Sequence, residues 1–448
     1  MFQEFGLVSA AAYPATATES HYYMPHQAPA LLFLGDYFGT LAAARCLGEH
    51  HVRVVLADAR RMTRAGASKF VSERRLCPST EDAAAWVAWL RESGTALRGA
   101  VLFPGSDEQV FLTALHGDVL SNHYQLPLRS LSRAMRILDK SKLSEACDKV
   151  GIEVPRTWFP KSTEALARDI AAIGERRVLI KPKTQAQWRS GEKAMHSETG
   201  ESLSRDVTHF VQHSGYGPEL LSHDADLAWP MLQEFLPQAS AHILSVAGYA
   251  SQRHPRAVLR ASEKVLQRPR ELGIGLCFES RPVPEGLDLK VAALCEELGY
   301  EGTFELEFVP HEGRLLLIDM NPRNYGQLGF EIARGAPLPY LEYLRATGDF
   351  ATFDEVYARA LAWNRTEPYA YAHGRLLHLV RAGQATAGRA QGLVPERWGA
   401  WAQSFGDRLV DASYRSDDPG PAAWDLLAHG AQFFKHPRSF LRSLSRTT

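Results

Sequence analysis

Short apolar runs, broken by glycine and polar turns, open the patterned part of the chain. Leu31 to Leu34 runs into a turn from Gly35 to Gly39, a helical stretch follows from Leu41 to about Glu49, and Val52–Leu56 leads to Asp58. Strand, glycine turn, helix and strand in that order predict a βαβ opening with a parallel sheet. A third strand is expected at Gly99–Phe103, ahead of Pro104-Gly105-Ser106-Asp107-Glu108. The spacing then predicts one helix over Ser130–Val150, stopped by Gly151 and Pro155, and another over Ser162–Ile173. Strands are expected at Arg177–Pro182, Met231–Pro237 and His242–Ala250, with the prolines ending ladder pairing. Helices are expected at Lys290–Gly299, Phe330–Gly335 and Leu338–Arg345, and beyond Phe350 the pattern is mixed and mostly helical.

The stretch from Gly302 to Arg323 holds the densest chemistry. It reads as two antiparallel strands joined at His311-Glu312-Gly313. Glu305 and Glu307 are two residues apart and share one strand face, as do Asp319 and Asn321 on the next strand. Oxygen ligands set side by side in an apolar run are costly unless a cation neutralises them. A hard ion such as Mg2+ suits them, with phosphate oxygens completing its shell. Arg323 follows at once, a planar fork for carboxylate or phosphate. The bland alternative is a hairpin with a few surface charges.

Composition narrows the partners. The chain has 448 residues, with Lys plus Arg at 50 and Asp plus Glu at 51, so no broad charge footprint points to nucleic acid or an anionic bilayer. Any anion site is local. The cysteines Cys46, Cys77, Cys147, Cys277 and Cys295 have no CxxC or zinc spacing, which predicts reduced thiols in a cytoplasmic protein. No run approaches the roughly 20 apolar residues of a membrane span. Residues 1–29 lack a signal-peptide pattern, with Glu4 where a cationic region would stand, and read as a disordered extension. The Gly35/Gly39 turn matches a dinucleotide fingerprint only in part. His242 and His311 have no third ligand at zinc-like spacing. The basic run Phe433–Arg446 fits a docked terminal helix better than a membrane-surface one, because Pro437 interrupts it.

Taken together, Gly302-Thr-Phe-Glu305 and Ile318-Asp-Met-Asn-Pro-Arg323 resemble the ATP-grasp superfamily, in its carboxylate–amine ligase branch, with biotin carboxylase and carbamoyl phosphate synthetase more distant. The resemblance spans about Ser130–Arg345. It implies an N-terminal doubly wound parallel-sheet domain (30–130), a two-lobed ATP-grasp domain (131–345, small lobe about 155–237, large lobe about 238–345) and a mostly helical C-terminal region (346–448). It places Lys140 and Lys181 on nucleotide phosphates, Gln233, Glu234, Phe235 and Leu236 along the adenine, and Glu307, Asp319 and Asn321 on Mg2+, or Mn2+ in its place. Glu305 is a supporting group in this scheme. Lys264 and Arg323 become the catalytic cations, and Arg260 and Arg268 are equally well read as a solvated face. Two features depart from the family: Asp319 stands where Glu is usual, and Thr184–His196 has Gly191 alone where relatives carry several glycines.

The resemblance implies an ATP- and Mg2+-dependent ligase. A small-molecule carboxylate becomes an acylphosphate, an amine displaces phosphate, and homo-oligomers are compatible with the pattern. Two alternatives stay open: a carboxylase or other acyl-acceptor ligase, and a nucleotide-binding module whose catalysis has decayed.

Overall fold

A computed structural model of the chain describes residues 28–189, 194–197, 201–213, 215–236, 243–268, 274–373 and 395–435. The extension up to residue 27, His242 and the basic run from residue 436 lie outside them, as do Gly191 and the Arg268 side chain. Three sheets organise the described residues.

The first sheet comprises β1 (Ala30–Phe33), β2 (Val54–Asp58), β3 (Glu73–Leu76) and β4 (Val101–Phe103). It is parallel, in the order β3-β2-β1-β4. β1, β2 and β4 are buried along their whole length, as continuous apolar runs are in a sheet covered on both faces. The glycines of the first turn serve internal contacts. Gly35 N–H donates to the Asp58 carboxylate at 2.7 Å. A Cβ at Gly39, in helix Phe38–Glu49, would come within 2.3 Å of the Tyr325 carbonyl oxygen. That backbone oxygen belongs to the loop just past Arg323, so Gly39 sets how closely the first domain approaches it. Gly39→Ala is therefore expected to destabilise the chain by about 1–3 kcal/mol, read as a fall in thermal midpoint.

The second sheet comprises β5 (Thr157–Trp158), β6 (Val178–Lys181), β7 (Met195–Ser197) and β8 (Met231–Glu234), in the order β5-β8-β6-β7 and antiparallel throughout. Leu166 and Ile173 from one helix and Leu203, Val207 and Phe210 from another pack on Val178, Ile180 and Leu232. With its apolar side chains held by that core, β6 delivers Lys181 at its last position.

The third sheet comprises β9 (Leu244–Ala250), β10 (Val258–Arg268), β11 (Ile274–Arg281), β12 (Gly302–His311), β13 (Arg314–Asn321), β14 (Ala370–Ala372) and β15 (Leu409–Asp411). Its order is β13-β12-β9-β10-β11-β14-β15. The C-terminal region is mostly helical, as expected, and in addition supplies the last two strands, which pair in parallel.

Two local differences from the sequence reading bear on the site. The helix expected over Ser130–Val150 is two helices, Leu131–Leu138 and Lys140–Lys149. Asp139 between them is extended, with φ −88° and ψ 111°, and its carboxylate accepts from Ser141 N–H at 2.9 Å, capping the second helix. The break puts Lys140 on a first turn, where its N–H donates to Lys183 O at 2.9 Å. In β10, Arg260, Ser262 and Lys264 fall on alternate positions and all are buried. Val258, Leu259 and Ala261 between and beside them are buried too, so this part of β10 is covered on both faces and the solvated-face alternative for Arg260 does not hold.

Candidate active site

The hairpin pairs its ligands in register. Glu305 lies opposite Asn321 and Glu307 opposite Asp319, with an irregularity immediately after Glu307. Glu312 and Gly313 close the turn with φ of 49° and 76°, the left-handed pair that suits the twist of a tight hairpin. All four oxygen-bearing residues face a cleft of about 420 Å³ at the meeting of the three sheets. Lys140, Lys181, Lys264 and Arg323 line the same cleft.

Asp319 and Glu307 are each already engaged by a lysine. Lys140 Nζ contacts Asp319. Lys264 Nζ donates to Glu307 Oε1 at 2.8 Å. Burial opposes charge on Lys264, but Glu307, Glu305 and Asp319 outweigh it and hold the ammonium above the ordinary lysine range. Desolvation likewise opposes charge on Asp319, and Lys140, Arg323 and Lys181 together hold it below the usual carboxylate value. Lys181 is different. Desolvation, reinforced by the charge of Lys140, pushes its pKa down to about 8. Its Nζ donates to Gln233 Oε1 at 2.7 Å, a neutral partner, and the more weakly acting Asp319 and Glu307 offset the desolvation only in part.

Glu305 is the most buried of the three hairpin carboxylates in the cleft, 5% exposed. It accepts from Ser245 Oγ at 2.8 Å, from Asn321 Nδ2 at 3.2 Å and from Gln327 Nε2. Burial and then the charge of Glu307 push its pKa up to about 7. A divalent cation beside Glu305 would relieve the burial and the neighbouring charge that oppose its ionisation. Among the described residues no group of three or more His, Cys, Asp and Glu forms a ready-made metal cage. Two carboxylates and an amide, Glu307, Asp319 and Asn321, fit an ion that takes its remaining oxygens from phosphate and water.

Arg323 is clamped from two domains. Its Nε donates to Asp107 Oδ1 at 2.6 Å and its Nη2 to Asn321 Oδ1 at 2.7 Å. Asp107 opens helix Asp107–Leu115, whose N-terminus is capped by Ser106. Tyr37, Asp107 and Glu305 outweigh desolvation and keep the guanidinium firmly charged.

The residues expected along the adenine stand apart from this cluster. Gln233 reaches the cleft through Lys181. Glu234 N–H donates to Arg156 O and Phe235 N–H to Arg177 O, each at 2.9 Å. Those two amides are committed to neighbouring chain segments. Arg260 is a structural group: it donates to the carbonyls of Arg334, Leu259 and Ala360. His311 sits at the hairpin end, 3.9 Å from Glu312. Ser245 and Gln327 escaped the sequence reading. Gln327 lies four residues past Arg323 in a polar loop, and Ser245 is a lone hydroxyl in an apolar strand; neither pattern is distinctive.

No protein-family model matches the sequence, and no curated protein matches it. Solved structures do. The L-amino acid ligase from Bacillus licheniformis matches with a TM-score of 0.55 at 12% identity, over 77% of this chain and 79% of its own. The biotin carboxylase domain of Hydrogenobacter thermophilus 2-oxoglutarate carboxylase, in complex with MgADP, ADP and bicarbonate, gives 0.57 at 15%, over 72% and 70%. The ADP complex of N5-carboxyaminoimidazole ribonucleotide synthetase gives 0.54 at 14%, over 82% and 91%. The chain has the ATP-grasp fold. Identities this low establish the fold and leave the roles of residues to the local geometry. In this chain of ATP-grasp fold, the glycine-poor segment after Lys181 is held by hydrogen bonds as far as residue 189. Thr184 N–H donates to Tyr216 Oη at 3.1 Å, Arg189 N–H to Gly215 O at 2.9 Å, and Gln187 N–H to the Glu108 carboxylate.

Proposed function

We propose that the chain is an ATP- and Mg2+-dependent ligase. It phosphorylates a small-molecule carboxylate on ATP, giving an acylphosphate and ADP, and an amine then displaces phosphate to form an amide. The observation that carries this reading is the convergence of Lys140, Lys181, Lys264 and Arg323 with Glu305, Glu307, Asp319 and Asn321 on one cleft. Cations and oxygen ligands brought together in one cleft suit a triphosphate bridged by a metal. The solved structures of like fold support it through the nucleotides and acids that their own titles name.

In this scheme Lys140 and Lys181 hold phosphate oxygens. Glu307, Asp319 and Asn321 would hold Mg2+, or Mn2+, which when bound supplies charge neutralisation to the phosphates. Lys140 and Lys264 are engaged with Asp319 and Glu307, and would be free to meet phosphate if those carboxylates held the ion. Arg323 keeps its planar fork aimed by Asp107 and Asn321, so that it presents N–H donors to the charge developing on the carboxylate and the transferring phosphoryl group. Catalysis is chiefly positioning and electrostatics. The first domain, residues 30–130, contributes Tyr37, Asp107 and Glu108 to the substrate end. Among the described residues no helix is long and apolar enough to cross a membrane, and we place the enzyme in the cytoplasm, where its five buried thiols stay reduced.

The decisive experiment is a screen of carboxylic acids with hydroxylamine as surrogate amine. One acid, or a narrow class, is expected to give hydroxamate together with ADP, dependent on Mg2+. ATP held unchanged with every acid would instead mark a binding module, and ADP formed only with bicarbonate would mark a carboxylase.

A further inference from the structure

Glu108 is the one cleft carboxylate that neither grips a cation nor faces the hairpin ligands. It stands in the first turn of helix Asp107–Leu115, beside the residue that clamps Arg323, and lines the cleft. Its two oxygens are in different states. Oε2 accepts the Gln187 backbone N–H from the segment after Lys181, which fixes the plane of the carboxylate. Oε1 is shielded from solvent and has no hydrogen-bond partner. A buried acceptor without a donor is destabilising. Such a group is kept where a ligand completes it.

The surroundings favour a cationic ligand. Asp107 on the same helix, Arg189 from the pinned segment and Glu219 from helix Pro218–His223 are the charged groups that face it. Asp107 is paired with Arg323, so Arg189 stands against the two carboxylates Glu108 and Glu219. Gln187 ties this corner together, donating from Nε2 to Glu219 at 3.0 Å and accepting the Leu220 N–H at 3.0 Å. The orientation of Glu108 is thus fixed by backbone from the adjoining sheet domain.

We propose that Glu108 receives the acceptor amine as its ammonium ion and removes one proton from it. The proposal rests on the ligase reading and names the acceptor class, a primary ammonium. The step balances. The ammonium N–H bond breaks, and its proton goes to Oε1 of Glu108. The freed lone pair forms the C–N bond to the acylphosphate carbonyl carbon. The acyl C–O bond to phosphate breaks, and phosphate departs with the second amine proton. Burial raises the Glu108 pKa against the pull of the Gln187 amide and Arg189, which moves the carboxylate in the direction a base for an ammonium needs.

The test uses the full chain, with the donor acid that the hydroxamate screen returns. Two probe amines are compared by phosphate release: hydroxylamine, uncharged at neutral pH, and methylamine, which arrives as methylammonium. Glu108→Gln is expected to depress methylamine-dependent turnover at neutral pH about a hundredfold more than hydroxylamine-dependent turnover. That gap closes as pH rises and free methylamine accumulates. Glu108→Asp restores part of the methylamine rate. Equal losses with both amines would overturn the proposal, since a merely structural group does not distinguish them. So would an unaffected methylamine rate, or a wild-type chain that uses hydroxylamine but not methylamine. A wild-type chain that makes no hydroxamate with any acid fails at the earlier step and overturns the ligase reading, and this inference with it.

Discussion

Lys181→Ala is expected to cut acid-dependent ADP release by about a hundred- to a thousandfold and to leave the fold intact. The rate loss follows from position. Lys181 closes a strand whose Val178 and Ile180 are locked in a core, and its side chain lines the cleft. Its partner is the neutral Gln233, and its nearest cation is Lys140, so the charge is least satisfied when the cleft holds no phosphate. An anion that arrives there relieves both. The fold is spared for the same reason. The folded-state pKa is about 8 against an ordinary 10.5. The unfolded chain therefore binds this proton more tightly, and stability attributable to Lys181 rises with pH between those values. At neutral pH the charged side chain opposes folding, so its removal does not weaken the structure. The wild-type kcat/KM for ATP should fall as pH rises through about 8, because the free enzyme loses the ammonium there. The variant should lack that limb. A Lys181→Ala profile that keeps it, or a rate within a few-fold of wild type, would remove Lys181 from the phosphate site.

Much of the site was legible because its chemistry is local. Glu305, Glu307, Asp319 and Asn321 are read from alternation on two adjacent strands with a tight turn between them, and the register pairs them as the alternation requires. Lys181 is read from its place at the end of an apolar run before proline. What was not legible depends on distant partners. Arg323 meets Asp107 across 216 residues of sequence, and no pattern in either segment announces the other. β10 went unseen because Arg260 and Lys264 are buried, one on backbone carbonyls and the other on Glu307. Their burial is made tolerable by groups far along the chain, so a local reading of three cations within nine residues leaves site and solvated face equally open for Arg260. The break at Asp139 was hidden because apolar spacing continues through it, while the cap is a single side-chain hydrogen bond. The sheet core of the fold is thus written in short-range patterns, whereas the placement of the first domain against the cleft is written in pairwise contacts.

Glu307→Gln is expected to lower ADP formation about a hundredfold at limiting Mg2+ and to recover in part as Mg2+ is raised. Glutamine is the informative replacement. Lys264 is only 8% exposed, and an alanine would strand its ammonium, where breaking a buried pair costs about 3–5 kcal/mol. The glutamine carbonyl still accepts from Lys264 at the place of Oε1, now 2.8 Å away, and Glu305 and Asp319 continue to balance its charge. The fold should hold, and thermal unfolding checks that it does. What the variant loses is one of the two carboxylates proposed for the metal, leaving Asp319 and two amides. Asp319 carries one methylene fewer than glutamate and is already engaged by Lys140, so it is poorly placed to take over. Metal affinity therefore falls first, and the apparent Mg2+ requirement rises more than the saturating rate drops. A variant whose rate falls equally at every Mg2+ concentration would mean that Glu307 acts only by holding Lys264, and the oxygen-rich hairpin would then need another explanation than a cation beneath phosphate.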